Sequence, residues 1–239
     1  MIEIEDIHHE RHFLDLLCDA VVLAQLSNDA AENDEAQFSL ARGSIMSSVF
    51  SLECAANCCI DYIPHGKQFK RDIDKLPFLS KFDVFLGLMF SDRKLDRGRS
   101  EVQDIQELKT IRDSLVHPKV KKYEIKKTSP TSGHWIVDDF PRLKIPKDIT
   151  GWQAKDAIVT LEAINTFFNY YFIELCGFDA KTTCSLLISY DRAAVPSKVP
   201  IYISHIPILI RANNEWGLDF RFMGFKTKPA KIKSGIELP

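Results

Sequence analysis

The sequence predicts a mainly α-helical fold: a bundle of four to five helices, with a short β-rich insertion at about residues 119–147 and a β-rich C-terminal tail. Apolar residues recur at helical spacing through most of the first 190 residues. Prolines and short alternating apolar stretches mark the insertion and the region after residue 190 instead. We therefore expect one helical domain at residues 1–189 and an extended or β-rich appendage at residues 190–239.

The first two predicted helices differ in how much of their surface is apolar. The first, at about residues 8–27, is amphipathic, and the second, at about residues 36–63, is apolar over more than half of its circumference. The apolar residues of the second helix are Phe38, Ala41, Ile45, Val49, Leu52, Ala56 and Ile60, with Met46 and Phe50 beside them. Such a helix lies at the centre of a bundle or at a subunit interface. Pro64 and Gly66 end it.

The remaining helices of the predicted bundle are shorter. A third is expected at about residues 79–90 and a fourth at about residues 101–117, where Pro118 closes it. Thr150 is expected to cap a fifth helix that reaches about Gly177. A sixth helix follows Asp179. The aromatic run in the fifth helix is expected to be core rather than a base-stacking platform; it comprises Phe167, Phe168, Tyr170, Tyr171 and Phe172.

Two regions are predicted to be extended rather than helical. In the insertion, Val120–Lys126 alternates, and Trp135–Val137 and Leu143–Ile145 are rich in residues that favour strands. In the tail, Ile201–Ile203 and Ile208–Ile210 have the same character. Prolines punctuate the tail at short intervals, at Pro196, Pro200 and Pro207.

Composition places the chain among globular proteins. It has 239 residues, 45% of them hydrophobic, and a formal net charge of −2. This composition can fill a substantial core and excludes a largely disordered chain. The acidic N-terminus does not resemble a signal peptide, and no uncharged apolar run approaches the length of about 18–20 residues that spans a membrane. We expect a cytoplasmic protein.

The six cysteines do not form the pattern of a small secreted scaffold. Cys54 and Cys58 are four residues apart on the second predicted helix and could share a face. No second pair of ligands has the spacing of a metal site, so we expect small buried thiols, no bound metal and no cofactor.

The chain has no P-loop, dinucleotide-binding glycine pattern, nucleophile elbow or metalloprotease helix. What remains is the segment from Ile111 to Pro118, in which Arg112 is followed by Asp113 and, after four intervening residues, by His117. This segment resembles the motif of the HEPN superfamily, an arginine followed at short spacing by a histidine, with a polar residue often directly after the arginine. The resemblance covers about residues 36–175.

The context of the motif adds to the resemblance. It falls at the end of the fourth predicted helix, as in the family. The second helix carries Glu53 and Asn57 four residues apart, so that two polar side chains face one way from an apolar helix. Many HEPN proteins have acidic and amide residues in the corresponding helix.

Resemblance to catalytic HEPN proteins implies a metal-independent endoribonuclease of bacterial defence, stress response or toxin–antitoxin function. Its site would be built from two copies of the motif across a homodimer, with the second and fourth helices at the interface. Arg112 and His117 would be catalytic, with Asp113, Glu53 and Asn57 in supporting roles. Three lysines could hold phosphates: Lys119, Lys121 and Lys122.

The resemblance also implies a possible antitoxin or regulatory protein partner, with one departure from the pattern. Many HEPN toxins paired with nucleotidyltransferase antitoxins have a tyrosine two residues after the motif histidine. This chain has Lys119 there, so silencing by modification of such a tyrosine cannot apply.

A non-catalytic alternative explains the same residues. Arg112 could pair with Asp104, Glu107 or Asp113, and His117 could cap the end of its helix. The chain would then be a HEPN-like dimerisation module or a module that binds a nucleotide or a protein partner. The enzyme hypothesis predicts that Arg112 and His117 of two subunits line one open, positive cleft. The module hypothesis predicts that they are satisfied within one chain or face unrelated solvent.

Overall fold

The structure is a computed structural model. It describes residues 10–30, 34–117, 120, 125–127, 133–135, 137–189 and 205–225, with the backbone alone for the ranges 125–127 and 133–135. These residues form a mainly helical protein, as the sequence predicts, with eight α-helices in the described part.

Helices α1 (Phe13–Asp29) and α2 (Glu35–Tyr62) pack against each other along their length. The side chain of Asp34 accepts a hydrogen bond from the Ala36 N–H at 3.1 Å and so caps α2 at its start. Its end lies two residues before Pro64, because the residue before a proline is pushed towards extended geometry. The predicted second helix is confirmed to within one residue, whereas α1 begins later than residue 8.

Three helices follow: α3 (Lys67–Asp74), α4 (Phe78–Met89) and α5 (Ser100–Val116). The third and fourth predicted helices correspond to α4 and α5 and are confirmed to within one residue. The sequence did not indicate α3. Only Ile73 of its eight residues is buried, which is too few apolar positions for a helical period.

The fifth predicted helix consists of α6 (Ala154–Phe168) and a π-helix (Asn169–Leu175) that continues it. Thr150 does not cap it. The cap is Gln153, whose N–H donates to the Asp156 side chain at 2.8 Å. The predicted aromatic core is confirmed, because all five of its side chains are buried. Helix α7 (Ala180–Leu187) starts as expected after Asp179, whose carboxylate accepts from the Thr182 N–H at 2.7 Å.

The prediction of an extended or β-rich tail is wrong for the described part of the tail. It contains α8 (Ile206–Trp216) and a short 3-10 turn at Arg221–Met223. Pro207 lies in the first turn of α8, where a helix needs no N–H donor. Leu209 and Ala212, three residues apart, are the buried positions, so the spacing is helical rather than alternating. Residues 190–204 and 226–239, including the predicted strand at Ile201–Ile203, lie outside the described residues.

The described part of the tail packs into the main core. The Phe222 ring is fully buried, 5.2 Å from the Phe168 ring and 6.3 Å from the Phe13 ring. Asn169, at the start of the π-helix, donates from its amide to the Asp219 carbonyl at 2.8 Å and accepts from the Phe222 N–H at 3.0 Å. These bonds hold the segment after α8 against α6.

In the insertion, β1 (Ile125–Lys127) and β2 (Gly133–Trp135) pair antiparallel, with Lys126 opposite His134. The β-prone segment Leu143–Ile145 is a turn rather than a strand, because Lys144 takes a left-handed conformation with φ 57°. Most of Val120–Lys126 lies outside the described residues.

Among the residues that the structure describes, one helix, α2, is long and apolar enough to cross a membrane by length and composition alone. About 61% of its most apolar 18-residue window is buried inside the protein, which is typical of the core helix of a globular fold.

Candidate functional site

The predicted motif brings α5 and α2 together through a chain of charged side chains. The guanidinium of Arg112 forms an ion pair with Glu53 of α2 and a second with Asp113, where Nη1 and Oδ1 are 2.8 Å apart. Lys109, one turn earlier on α5, contacts the other oxygen of Asp113 at 2.6 Å. We call these four residues, Glu53, Lys109, Arg112 and Asp113, the Arg112 cluster. Two positive and two negative charges balance within it.

The Arg112 cluster is only partly covered by protein. The side chains of Arg112 and Glu53 are 22% and 32% exposed. Arg112 uses two of its five N–H donors on the two carboxylates, and its Nε is buried without an acceptor among the described residues. The guanidinium is thus held in orientation by two acids and keeps donors for a further acceptor.

Asp113 is kept charged by its neighbours. Burial alone would raise the pKa of its carboxyl group, but the hydrogen bond and charge of Lys109 and the charge of Arg112 outweigh burial and leave this pKa lowered. At neutral pH Asp113 is therefore a carboxylate that accepts from both bases.

His117 is the C-cap residue of α5 by its backbone position, whereas the non-catalytic alternative expected it to cap the carbonyl groups of the last turn. Its backbone has left the helix (φ −122°, ψ 64°), and its N–H donates to the Asp113 carbonyl at 3.0 Å. The side chain is exposed and makes no hydrogen bond or ion pair with any residue in the described ranges. His117 therefore lies at the same end of α5 as Arg112, and only its backbone, through the Asp113 carbonyl, contacts a residue of the Arg112 cluster.

Two of the three acids that could have neutralised Arg112 are used elsewhere. Arg142 from the turn after β2 contacts Asp104 at 2.6 Å through its Nε. The carboxylate of Glu107 accepts from the backbone N–H groups of Arg142 and Leu143, at 2.7 Å for the latter. Asp104 and Glu107 thus attach the insertion to α5, and only Asp113 pairs with Arg112 as the alternative expected.

Glu53 and Asn57 do not act together as their spacing suggested. Glu53 contacts Arg112, whereas the Asn57 side-chain oxygen accepts from Lys81 of α4 at 2.7 Å. Lys81 is 7% exposed and also pairs with Asp74 at 3.1 Å. The sequence reasoning missed Lys81. The available signal was one lysine inside an otherwise apolar turn of α4.

The remaining predicted residues can be placed only in part. The phosphate-binding candidates Lys119, Lys121 and Lys122 lie outside the described residues. All six cysteines are free, and five of them are buried, as expected for structural thiols. In the described parts of the chain, no group of three or more histidines, cysteines or acids is placed to hold a metal ion.

Cys54 differs from the other cysteines because it is only half-buried. A hydrogen bond from the Cys58 thiol lowers the pKa of Cys54 to about 7, with a further contribution from His12 and against the effect of burial. By contrast, burial raises the pKa of Cys18 to about 12.

Comparison of the chain with family models, with curated proteins and with solved structures found no match.

Proposed function

We propose that this chain is a metal-independent endoribonuclease of the HEPN type, with an up-and-down helical bundle and a composite site at a homodimer interface. The observation that carries the proposal is the ion pair between Glu53 and Arg112. The motif resemblance singled out these residues on two different helices, and they meet in three dimensions. An acidic residue placed on α2 by chance would not be expected to contact the arginine of the motif.

The chemistry of the two motif residues suits cleavage of an RNA phosphodiester. The RNA 2′-oxygen attacks phosphorus while the bond to the 5′-oxygen breaks, which leaves a cyclic phosphate. One histidine removes the 2′-hydroxyl proton and the other supplies a proton to the leaving oxygen. Arg112 can stabilise the negative charge of the pentacovalent transition state, because Nη1 and Nη2 each carry a second N–H beyond the one that faces Asp113 or Glu53.

A dimer is needed because one chain supplies a single exposed His117, and this residue does not contact Arg112. Of the exposed apolar side chains on the helices that carry the site, two lie near the site residues: Phe50 on α2 is 40% exposed and Val116 on α5 is 44% exposed. Phe50 is three residues before Glu53, and Val116 directly precedes His117. A second copy that covers these side chains would bring its own site residues close to the first.

A non-catalytic HEPN-like module is the second candidate, and one observation favours it. The charge of Arg112 is already balanced by Glu53 and Asp113 within the chain. In that case the Arg112 cluster is a structural link between α2 and α5, and the same surface serves dimerisation or the binding of a nucleotide or protein partner.

The test is an RNA-cleavage assay with and without EDTA. Arg112→Ala and His117→Ala should each lower the rate about 100- to 1,000-fold while fold and dimerisation are kept. EDTA should have no effect, and an oligonucleotide with 2′-deoxyribose at the cleavage position should resist. Arg42→Ala is the matched control, because Arg42 is an α2 arginine whose one ion pair among the described residues is with the exposed Glu35. Wild-type protein that leaves RNA intact would favour the module.

If the proposal holds, the activity belongs in the cytoplasm, in bacterial defence, stress response or toxin–antitoxin function. An antitoxin or regulatory protein would then restrain it. These roles come from the family resemblance alone.

A further inference from the structure

An open cleft lies between α2 and α3, about one helical turn along α2 from Glu53. It has a volume of about 270 Å³ and is lined by Asn57, Ile60, Asp61, Lys70, Arg71 and Asp74. The ammonium of Lys81 lies behind it, held by Asn57 and Asp74. We call this feature the Asn57 cleft.

The residues that line the Asn57 cleft balance in charge, with Lys70 and Arg71 against Asp61 and Asp74. The ammonium of Lys81 behind the cleft adds a third cation, so the group as a whole carries a net charge of +1. Each carboxylate is already engaged, Asp61 by Lys70 at 3.6 Å and Asp74 by Lys81 at 3.1 Å. One oxygen of each carboxylate is thus already paired with a lysine.

The donors are not all occupied. Arg71 is exposed and forms no ion pair or hydrogen bond with any residue that the structure describes. The Asn57 amide nitrogen likewise has no acceptor in the described ranges, since only its oxygen is used. The ammonium of Lys81 has three donors and two described acceptors. These donors without described acceptors suit a ligand group that has several acceptor oxygens and a negative charge. A phosphodiester is such a group.

The position of the cleft relates it to the candidate catalytic residues. Glu53, Asn57 and Asp61 follow one another at intervals of four residues, so they lie on one face of α2. Glu53 contacts Arg112, and Asn57 and Asp61 line the cleft. Four residues of a helix rise about 6 Å, so the cleft begins about one turn from Glu53. That separation is on the scale of one nucleotide step in an extended strand.

We infer that the Asn57 cleft binds a backbone phosphate of the RNA that neighbours the phosphate at Arg112, with Arg71 and Asn57 as its donors. This inference rests on the proposed ribonuclease function. It assigns Arg71, Asn57 and Lys81 to substrate binding rather than to catalysis. Lys81 acts through Asn57, which it orients from behind.

The experiment measures binding of a short 2′-O-methyl oligoribonucleotide, which cannot be cleaved by 2′-hydroxyl attack, by fluorescence anisotropy over a range of salt concentrations. Loss of one phosphate contact should weaken binding and flatten the plot of log K against log salt by about 0.7 for a single strand. We expect this change for Arg71→Ala. Lys67→Ala is the matched control, because it removes one positive charge from the same helix but does not line the cleft. Its slope should match wild type.

Arg71 lies on an exposed face of α3, so Arg71→Ala should fold normally, and its circular dichroism should match wild type. Equal flattening by Arg71→Ala and Lys67→Ala, no flattening by either, or no binding by wild type would overturn the inference. Equally tight, Arg71-dependent binding of a 5′-mononucleotide would assign the cleft to a free phosphate compound instead of RNA.

Cleavage measured in parallel separates this inference from the proposed function. In a cleavage assay Arg71→Ala should raise KM and leave kcat unchanged, since it binds RNA away from the reacting atoms. Wild type that binds the oligonucleotide in an Arg71-dependent way but cuts no RNA would refute the ribonuclease and keep the phosphate site. Wild type that cuts RNA while Arg71→Ala binds RNA normally would keep the ribonuclease and refute the phosphate site.

Discussion

At the residue scale, the ion pairs with Glu53 and Asp113 matter more for the orientation of the Arg112 guanidinium than for the stability of the protein. Pairs of this kind, about a quarter to a third exposed, typically contribute 0–1 kcal/mol to stability, because water screens the charges. Orientation is the larger consequence, since a guanidinium fixed by two carboxylates presents its other donors in one direction. Glu53 is therefore best regarded as a positioning residue for Arg112.

Glu53→Gln tests that role. The amide keeps the size of the side chain and one hydrogen bond but loses the charge, so Arg112 should become mobile. We expect kcat to fall about tenfold with KM nearly unchanged, while the free energy of unfolding changes by less than about 1 kcal/mol. Glu35→Gln, which disturbs the exposed pair with Arg42 on the same helix, should change neither. A loss of stability with unaltered kcat would make Glu53 structural.

Cys54 offers a second prediction at this scale. Because the pKa of Cys54 is lowered to about 7, its thiolate fraction, and with it the rate of alkylation by iodoacetamide, should rise through neutral pH and level off above about pH 8. Peptide mapping by mass spectrometry should show label at Cys54 long before Cys18, whose pKa is raised to about 12. Labelling that begins only above pH 9 would contradict the thiolate assignment.

At the scale of elements, the helices that the sequence predicted well are those with a long apolar period and a clear stop. Helices α2 and α5 end just before Pro64 and Pro118. The sequence could not reveal α3, which buries one residue, or the change from α6 to a π-helix at Asn169–Leu175. The prolines of the tail led to a prediction of extended structure, although a proline in the first turn of a helix, such as Pro207, is compatible with the helix.

The packing of α8 on the core can be tested by a pair of neighbouring truncations. Leu209 is 1% exposed and Ile210 is 46% exposed. Leu209→Ala should lower the free energy of unfolding by about 2–5 kcal/mol, because it leaves a cavity in the core. Ile210→Ala should lower it by about 0.5 kcal/mol, as at most surface positions. Urea denaturation measures both, and equal effects would mean that α8 does not pack as described.

The sequence pointed to some residues of the candidate site and not to others. The short motif identified Arg112, Asp113 and His117, and the spacing on α2 pointed to Glu53. The partner of Asn57 was not predictable, because Lys81 reaches it from α4 and no periodicity in α2 encodes that contact. The contacts of Asp104 and Glu107 with the segment at Arg142 were not predictable either, because they depend on where the insertion folds back onto α5.

At the scale of the whole molecule, the proposal requires a homodimer through α2 and α5. Light scattering should give about twice the chain mass of 27.3 kDa. Phe50→Asp places a charge on the exposed apolar part of α2 and should yield monomers without loss of helix content, together with loss of RNA cleavage. Leu88→Asp, on the equally exposed face of α4, is the control and should stay dimeric. A monomeric wild type at micromolar concentration would contradict the composite site.

The most direct measurement of the central claim is the initial rate of RNA cleavage by wild type and by His117→Gln, both in EDTA. Glutamine keeps roughly the size and hydrogen bonding of the imidazole but cannot take up and release a proton near neutral pH. Because His117 is exposed and has no side-chain partner among the described residues, the substitution should leave the fold unchanged. We predict cleavage by wild type and a loss of at least about 100-fold in His117→Gln. Equal rates for the two proteins, or no cleavage by wild type, would contradict the account.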